Sequence, residues 1–197
     1  MALACLGAGF AGYRLAGARY SRAPVPTYGT WLPRPRPLGP FALTDSRNRP
    51  FGTARLLGHL TLLYFGYTRC TDECPDALAR LAQVQQRLAH LPLQVLFVSV
   101  DPRHDTPAVL EQFVRRFDPL ALGLTGPLRQ IAALGARLGV ARGRIALPGG
   151  GTTFEHTLAI FLLDARGREV ALFTPPFDAR RLAAAVQGSA ERLLTSG

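Results

Sequence analysis

Two of the three cysteines in this 197-residue chain lie close together, at Cys70 and Cys74, directly before Pro75. Three residues separate them, rather than the two of the common redox motif, so both sulfurs could face one external atom. Thiolates select soft ions such as Cu(I), and a nearby imidazole would complete a three-ligand site that also accepts Cu(II). A structural zinc site usually needs a fourth protein ligand. The pair could instead close into a disulfide and act as a dithiol redox couple.

The imidazole could come from any of four histidines, His59, His90, His104 and His156. The first two lie at a predicted strand start and a predicted helix end, where ordinary roles explain them. His104 follows Asp101 at the carboxyl end of a predicted strand, the edge at which open α/β sheets gather ligands. His156 comes just after the loop 148–151 and just before a predicted strand. That loop could bring His156 to the cysteines, whereas His104 is the second choice.

Apolar runs place the cysteine pair between a strand and a helix. The runs at 60–65 and 95–100 are nearly continuous, which is typical of buried parallel strands. Between them, 75–90 carries apolar residues at helical spacing, which predicts an amphipathic crossover helix and a βαβ unit. With Pro75 in the first helical position, Cys74 would be the cap. A helix N-terminus favours a thiolate and lowers its pKa, and Arg69 should add to this effect.

The rest of the chain predicts three further helices and a hairpin. The predicted helices begin at Thr106 as cap with Pro107 following, cover 127–138, and close the chain over 178–194. The predicted hairpin joins 157–163 to 170–173 through the turn 164–167. A βαβ unit followed by a hairpin and a terminal helix predicts an α/β, thioredoxin-like fold with a central mixed β-sheet flanked by helices.

Two segments precede this head domain, which is predicted over 39–197. Residues 1–18 are mostly apolar and predict a membrane anchor or signal segment, at the short limit for spanning a bilayer. Residues 19–38 are rich in proline and arginine, and we expect an extended linker that cannot form a central strand. The net charge of +10 comes from scattered arginines without a basic run, so it does not indicate nucleic-acid binding.

Taken in order, the motifs resemble the Sco/SenC family of copper-binding proteins, which assist the assembly of cytochrome c oxidase. The matching motifs are Phe41 to Asp45 with Phe51, Cys70 to Pro75, Asp101 to Pro107, Gly123 to Gly126, and His156 with Thr157. The resemblance implies that Cys70, Cys74 and His156 bind one copper ion, Cu(I) or Cu(II). It also implies that Asp101 orients these ligands or docks a partner. Glu155 stands where the family commonly has an aspartate.

The same resemblance implies a copper metallochaperone, rather than an enzyme, that assists assembly of the dinuclear copper centre of the oxidase. Its implied partners are cytochrome c oxidase subunit II and other copper chaperones. Its implied location is the bacterial inner membrane, with the head domain facing the periplasm. The alternative is a membrane-anchored thiol-disulfide reductase acting on the oxidase subunit or its chaperones. A peroxidase or redox sensor attacking through Cys70 is a weaker hypothesis, because the neighbouring acidic residues oppose thiolate formation.

Overall fold

The structure is a computed structural model that describes residues 26–140, 142–146 and 152–195, with the side chains of 141–156 left undescribed. The strands in this part of the chain are β1 (Thr30–Pro37), β2 (Ala42–Asp45), β3 (Pro50–Gly52), β4 (Leu60–Gly66), β5 (Leu93–Ser99), β6 (Leu122–Thr125), β7 (Arg142–Ala146), β8 (Thr152–His156), β9 (Ile160–Leu163) and β10 (Arg168–Phe173). The helices are α1 (Glu73–Arg87), α2 (Pro107–Val114), α3 (Leu128–Arg137), α4 (Ala179–Gln187) and α5 (Ala190–Thr195), with a 3-10 turn at Thr53–Leu56.

Eight of these strands form one mixed sheet in the order β1-β10-β9-β4-β5-β6-β2-β3. The central strands β4, β5 and β6 run parallel, and the strands on either side of them are antiparallel to their neighbours. Strands β7 and β8 form a separate antiparallel pair, with Arg142 opposite His156. The predicted α/β class, with a mixed central sheet flanked by helices, is confirmed.

The centre of the sheet explains the unbroken apolar runs of the sequence. Every residue of β4 is buried, as are the last five of β5, because helices and neighbouring strands cover them on all sides. The parallel register pairs Gly66 at the end of β4 with Ser99 at the end of β5. The turns that follow these two strands therefore leave the sheet side by side, at the edge where the cysteines lie.

Two helix boundaries can be compared directly with their predictions. The predicted start of α2 is confirmed, because the Thr106 hydroxyl accepts a hydrogen bond from the Val109 amide and Pro107 is the first helical residue. The single terminal helix predicted over 178–194 is instead two helices, α4 and α5. The helix is interrupted at Gly188 and Ser189, where the Ser189 amide donates to the Val186 carbonyl in a tighter turn.

The proline-rich segment also differs from its prediction. Over Thr30–Pro37 it is the edge strand β1, paired antiparallel with β10, and not a free linker. Prolines are excluded from central strands but tolerated at an edge, and the pairing skips register between Trp31 and Arg36. Arg36 forms an ion pair of 2.5 Å with the fully buried Glu169. The domain therefore includes residues before the predicted boundary at 39.

The predicted anchor (1–18) and the first part of the predicted linker lie outside the described residues. Among the residues that are described, no helix is long and apolar enough to cross a membrane.

Candidate metal centre

The cysteine turn, residues 67–74, connects β4 to α1. Its backbone folds back on itself, because the Cys70 amide donates to the Tyr67 carbonyl at 3.2 Å. Helix α1 begins at Glu73 with Asp72 as its cap, so the predicted start at Pro75 is wrong by two residues. Proline is tolerated there because the first amides of a helix have no intrahelical partner. Cys74 consequently lies inside the first turn and is fully buried, whereas Cys70 is 8% exposed.

The two cysteine side chains contact each other directly. The Cys70 sulfur accepts a hydrogen bond from the Cys74 thiol, and it also accepts the backbone amides of Cys74, at 3.4 Å, and Asp72. The thiol hydrogen bond is the largest cause that lowers the pKa of Cys70, which falls to about 6 although burial and Glu73 oppose the shift. The same bond, together with burial, raises the pKa of Cys74. One proton is therefore shared, with the thiolate on Cys70.

This assignment corrects the expectation for the helix N-terminus. The amides that stabilise a thiolate are those of the first turn, as predicted, but the sulfur that receives them belongs to Cys70 and not to Cys74. Arg69 does not supply the expected positive charge at the sulfurs. Its guanidinium lies 2.6 Å from a carboxylate oxygen of Asp101.

Gly66 permits the close approach of these groups. A Cβ atom at this position would lie 2.8 Å from the Cys74 sulfur and 2.6 Å from the ring of Phe97. Any side chain larger than hydrogen would therefore displace the buried cysteine.

The aspartate loop, residues 100–106, follows β5 and holds the cysteine turn. The fully buried carboxylate of Asp105 accepts the Thr68 amide at 3.1 Å, the Thr68 hydroxyl at 2.6 Å and the Ser99 hydroxyl at 2.5 Å. These bonds join the ends of both central strands to the turn that carries Cys70. Asp105 was not among the predicted site residues. Its signal was a second acidic residue four positions after Asp101, directly before a helix cap.

Asp101 lies at the start of the same loop and bonds two side chains. Arg69 contacts its Oδ2 atom at 2.6 Å, and Nδ1 of His104 lies 2.9 Å from that oxygen. Burial favours the neutral acid, but the bonds to His104 and Arg69 outweigh it and hold the pKa of Asp101 below its usual value. Asp101 is thus joined to the cysteine turn through Arg69.

The histidines separate into three groups. His59 and His90 have ordinary contacts, with the Leu57 carbonyl at 3.0 Å and the Gln187 side chain at 2.8 Å. His104, the second choice as ligand, is paired with Asp101 and 56% exposed. His156 is the last residue of β8, and its side chain lies outside the described part.

The structure therefore brings together two of the three predicted ligands. Across the described residues, no group of three or more histidine, cysteine or acidic side chains is placed to hold a metal ion. The two sulfurs in contact supply a soft donor pair, which fits a monovalent copper ion better than hard cations that prefer oxygen.

Comparison with known proteins identifies the family. The SCO1/SenC family model matches residues 32–191, which is most of the chain. The chain belongs to the SCO1/SenC family. It is 36% identical to Protein SCO2, mitochondrial, of Saccharomyces cerevisiae over 66% of this chain and 45% of that protein. It is 31% identical to the SCO2-like protein RP587 of Rickettsia prowazekii, over 73% of this chain and 72% of that one. The chain thus spans less than half the length of the yeast protein.

Solved structures of this family share the fold. ScoI of Bradyrhizobium japonicum with copper bound is 34% identical, with a TM-score of 0.70 over 76% of this chain and 96% of that one. ScoI of Arabidopsis thaliana with copper bound is 27% identical, with a TM-score of 0.74 over 78% and 98%. The predicted thioredoxin-like fold is confirmed. Sco family members are copper-binding proteins of cytochrome c oxidase assembly.

Proposed function

We propose that this protein is a copper metallochaperone that binds one copper ion through Cys70, Cys74 and His156. Its cargo is destined for the dinuclear copper centre of cytochrome c oxidase subunit II, received from or shared with other copper chaperones. We place the head domain on the periplasmic side of a bacterial inner membrane, held there by the N-terminal segment. The rickettsial relative supports a bacterial setting.

The observation that carries this proposal is the direct contact of the two cysteine sulfurs at one edge of the sheet. Cys70 is held as the thiolate, with a pKa of about 6, so one soft anionic ligand is available at neutral pH without further proton release. Cys74 would lose its proton when copper takes the place of that proton between the two sulfurs. Related ScoI proteins of known structure hold copper, which supports copper over other soft ions.

His156 is proposed as the third ligand because it ends β8 shortly before β9, the strand that pairs with β4. An imidazole adds a borderline donor to two thiolates, and such a set accepts both Cu(I) and Cu(II). His104 is a weaker choice, since binding copper would require it to leave the Asp101 carboxylate.

A copper titration tests this ligand set. The full chain carrying Cys5→Ser is reduced, titrated with Cu(II), and compared with the His156→Ala and His90→Ala variants. We expect one equivalent of copper and a thiolate-to-copper charge-transfer band that His156→Ala weakens and His90→Ala leaves unchanged. An unaltered band in His156→Ala would remove this histidine from the ligand set. A fragment starting at Gly39 is unsuitable, because it would lack β1.

The asymmetry of the two thiols favours a second candidate, a thiol-disulfide reductase. The Cys70 thiolate would attack one sulfur of a substrate disulfide, releasing the other as a thiolate. Cys74, after losing its proton, would then attack the Cys70 sulfur, leaving a Cys70–Cys74 disulfide and a substrate with two thiols. Two electrons pass from the pair to the substrate, and no histidine is needed.

Complementation separates the two candidates. In an oxidase-deficient strain lacking this protein, the chaperone function predicts that neither Cys70→Ser nor His156→Ala restores oxidase activity. The reductase function predicts full rescue by His156→Ala and none by Cys70→Ser. His90→Ala serves as the control that should restore activity in both cases.

A further inference from the structure

A basic cleft lies between α1 and α4. It encloses about 620 Å³, and both helices contribute arginines to it. Its arginines are Arg80 and Arg87 from α1 and Arg180 and Arg181 from α4. Its remaining wall is formed largely by Tyr28, Pro176 and Phe177. We call it the arginine cleft.

Much of the positive charge in the cleft is available to a ligand. No group in the described part of the chain forms a hydrogen bond or ion pair with the guanidinium of Arg87 or Arg180. Arg80 pairs with the exposed Asp76 at 3.2 Å, an exposed contact of the kind that contributes little. One acidic residue, Asp178, lies in the cleft with its carboxylate accepting two backbone amides at the start of α4, and its negative charge offsets only part of the charge of the four arginines.

The spacing of the arginines favours an extended acidic chain over a single anion. Arg80 and Arg87 are seven residues apart on α1, so they lie on one face and about 10 Å apart along the axis. One phosphate group is too small to contact both. A peptide extended in the polyproline II conformation has three residues per turn and rises about 3.1 Å per residue, so acidic side chains three positions apart would lie on one face at about this separation.

The aromatic wall favours a protein over a lipid surface. Arginine and aromatic side chains are the residues enriched at the centres of protein–protein interfaces. The guanidinium carbon of Arg181 lies over the ring of Tyr28, 4.7 Å from its centroid, so a cation and an aromatic ring are combined in this wall. A concave cleft with arginines facing each other from two helices encloses a peptide better than it meets a flat membrane.

The cleft is linked to the cysteines by two routes. Cys74 is six residues before Arg80 on α1, about 9 Å along the helix. On the other side, the ring of Phe177 packs edge-on against Tyr64 at 6.3 Å, and the Tyr64 side chain bonds Cys74. A protein segment in the cleft would therefore hold its own protein within about 10 Å, measured along α1, of the turn that carries the thiols.

We propose that the arginine cleft docks an extended acidic segment of the protein that exchanges cargo with the cysteine pair. The identity of that protein as a copper donor or acceptor rests on the proposed function, whereas recognition of an acidic segment does not. The cleft would thereby allow the protein to select its partners by their charge.

Peptide binding to the reduced, copper-free full chain tests the proposal. The probe is a fluorescent ten-residue peptide with glutamate at every third position and glycine elsewhere, and its counterpart has glutamine in place of glutamate. We expect the chain to bind only the glutamate peptide, and more weakly as salt rises, because exposed charges are screened within about 10 Å at 0.1 M. Equal binding of the two peptides would overturn the proposal.

Two double variants locate the binding site. Arg87→Gln with Arg180→Gln should lower affinity for the glutamate peptide at least fivefold. Arg116→Gln with Arg129→Gln makes the same change in net charge outside the cleft and should change affinity less than twofold. Equal losses in both would show attraction by net charge alone and reject the cleft. The four substituted arginines are all exposed, so folding should be unaffected in either variant.

Further measurements distinguish an acidic protein segment from other anions, and they test the proposed function separately. Vesicles containing phosphatidylglycerol and inorganic phosphate are tested on the same variants. If the native chain binds vesicles or phosphate but not the glutamate peptide, and the cleft variant loses that binding, the ligand is a phosphate group. That result would overturn the proposal. Copper stoichiometry is measured in parallel and should be unchanged by the cleft substitutions. Absence of copper binding in the native chain would reject the proposed function while leaving the peptide result to decide the docking site.

Discussion

The cysteine turn and the aspartate loop follow adjacent parallel strands, yet they have different roles. The turn after β4 presents two soft sulfur atoms, which are bonded to each other and to amides of the same turn. The loop after β5 presents no sulfur, and its two aspartates bond side chains and amides of the cysteine turn. Reactive atoms lie on one loop, and the groups that position them lie on the other.

The two aspartates of the loop also differ from each other. Asp105 is fully buried and bonds the backbone and hydroxyl of Thr68 directly. Asp101 reaches the turn only through Arg69, whose side chain is 46% exposed. Asp101 is itself buried, but its partner on the turn is exposed, and an ion pair with an exposed partner contributes little, so Asp105 should matter more than Asp101 for the shape of the turn.

Asp105→Ala is expected to have the largest effect. It removes the acceptor of three hydrogen bonds and leaves the buried Ser99 hydroxyl and two part-buried donors of Thr68 unsatisfied, so we expect a loss of about 3 kcal/mol in the free energy of unfolding. Urea denaturation of the reduced protein measures it. Asp76→Ala, which breaks the exposed pair with Arg80, is the control and should cost less than about 0.5 kcal/mol. Similar losses in the two variants would mean that the aspartate loop does not hold the turn.

The next effect concerns the proton shared by the cysteines. With Cys5→Ser as background, the rate of Cys70 alkylation should rise with pH around a midpoint near 6, since the thiolate is the reactive form. Cys74→Ala removes the thiol that donates to Cys70, so the midpoint should move up, toward the ordinary cysteine value of about 8.5. Between the two midpoints, Cys70 is largely a thiolate in the native chain and largely a thiol in the variant. The native alkylation rate should therefore exceed that of the variant most clearly near pH 7.

Ala82→Ser is a matched control for that measurement, since it changes a side chain on α1 away from the sulfurs and should leave the midpoint near 6. A midpoint in Cys74→Ala equal to that of the native chain would assign the shift to the backbone amides alone. The thiol hydrogen bond would then have no role in activating Cys70.

Much of the fold was predictable because its signals are local. The apolar runs of β4 and β5, the helical spacing in α1 and the Thr106-Pro107 start of α2 each depend on neighbours in sequence. Strand β1 was missed for the opposite reason. Its pairing with β10 joins residues more than 130 positions apart, and its prolines are compatible with a linker or an edge strand alike.

The site divides in the same way. The spacing of Cys70 and Cys74 before a helix was enough to predict that both sulfurs could face one atom, because one turn of chain carries both. The sequence could not show which of them holds the thiolate, since that depends on which amides point at which sulfur and on a helix start two residues earlier than expected. Asp105 was missed because its partners lie on other elements. The placement of His156 as a ligand stays a prediction.

Arg69→Ala is expected to have the smallest effect and completes the comparison between the two loops. The Arg69–Asp101 pair is partly exposed, and Asp101 keeps its contact with His104, so the free energy of unfolding should fall by less than about 1 kcal/mol. The alkylation midpoint of Cys70 should stay near 6, because Arg69 does not contribute to it. A rise of that midpoint in Arg69→Ala, without one in an Arg103→Ala control, would show that the outer aspartate also governs the sulfurs. The division between a buried anchor at Asp105 and a peripheral pair at Asp101 would then be wrong.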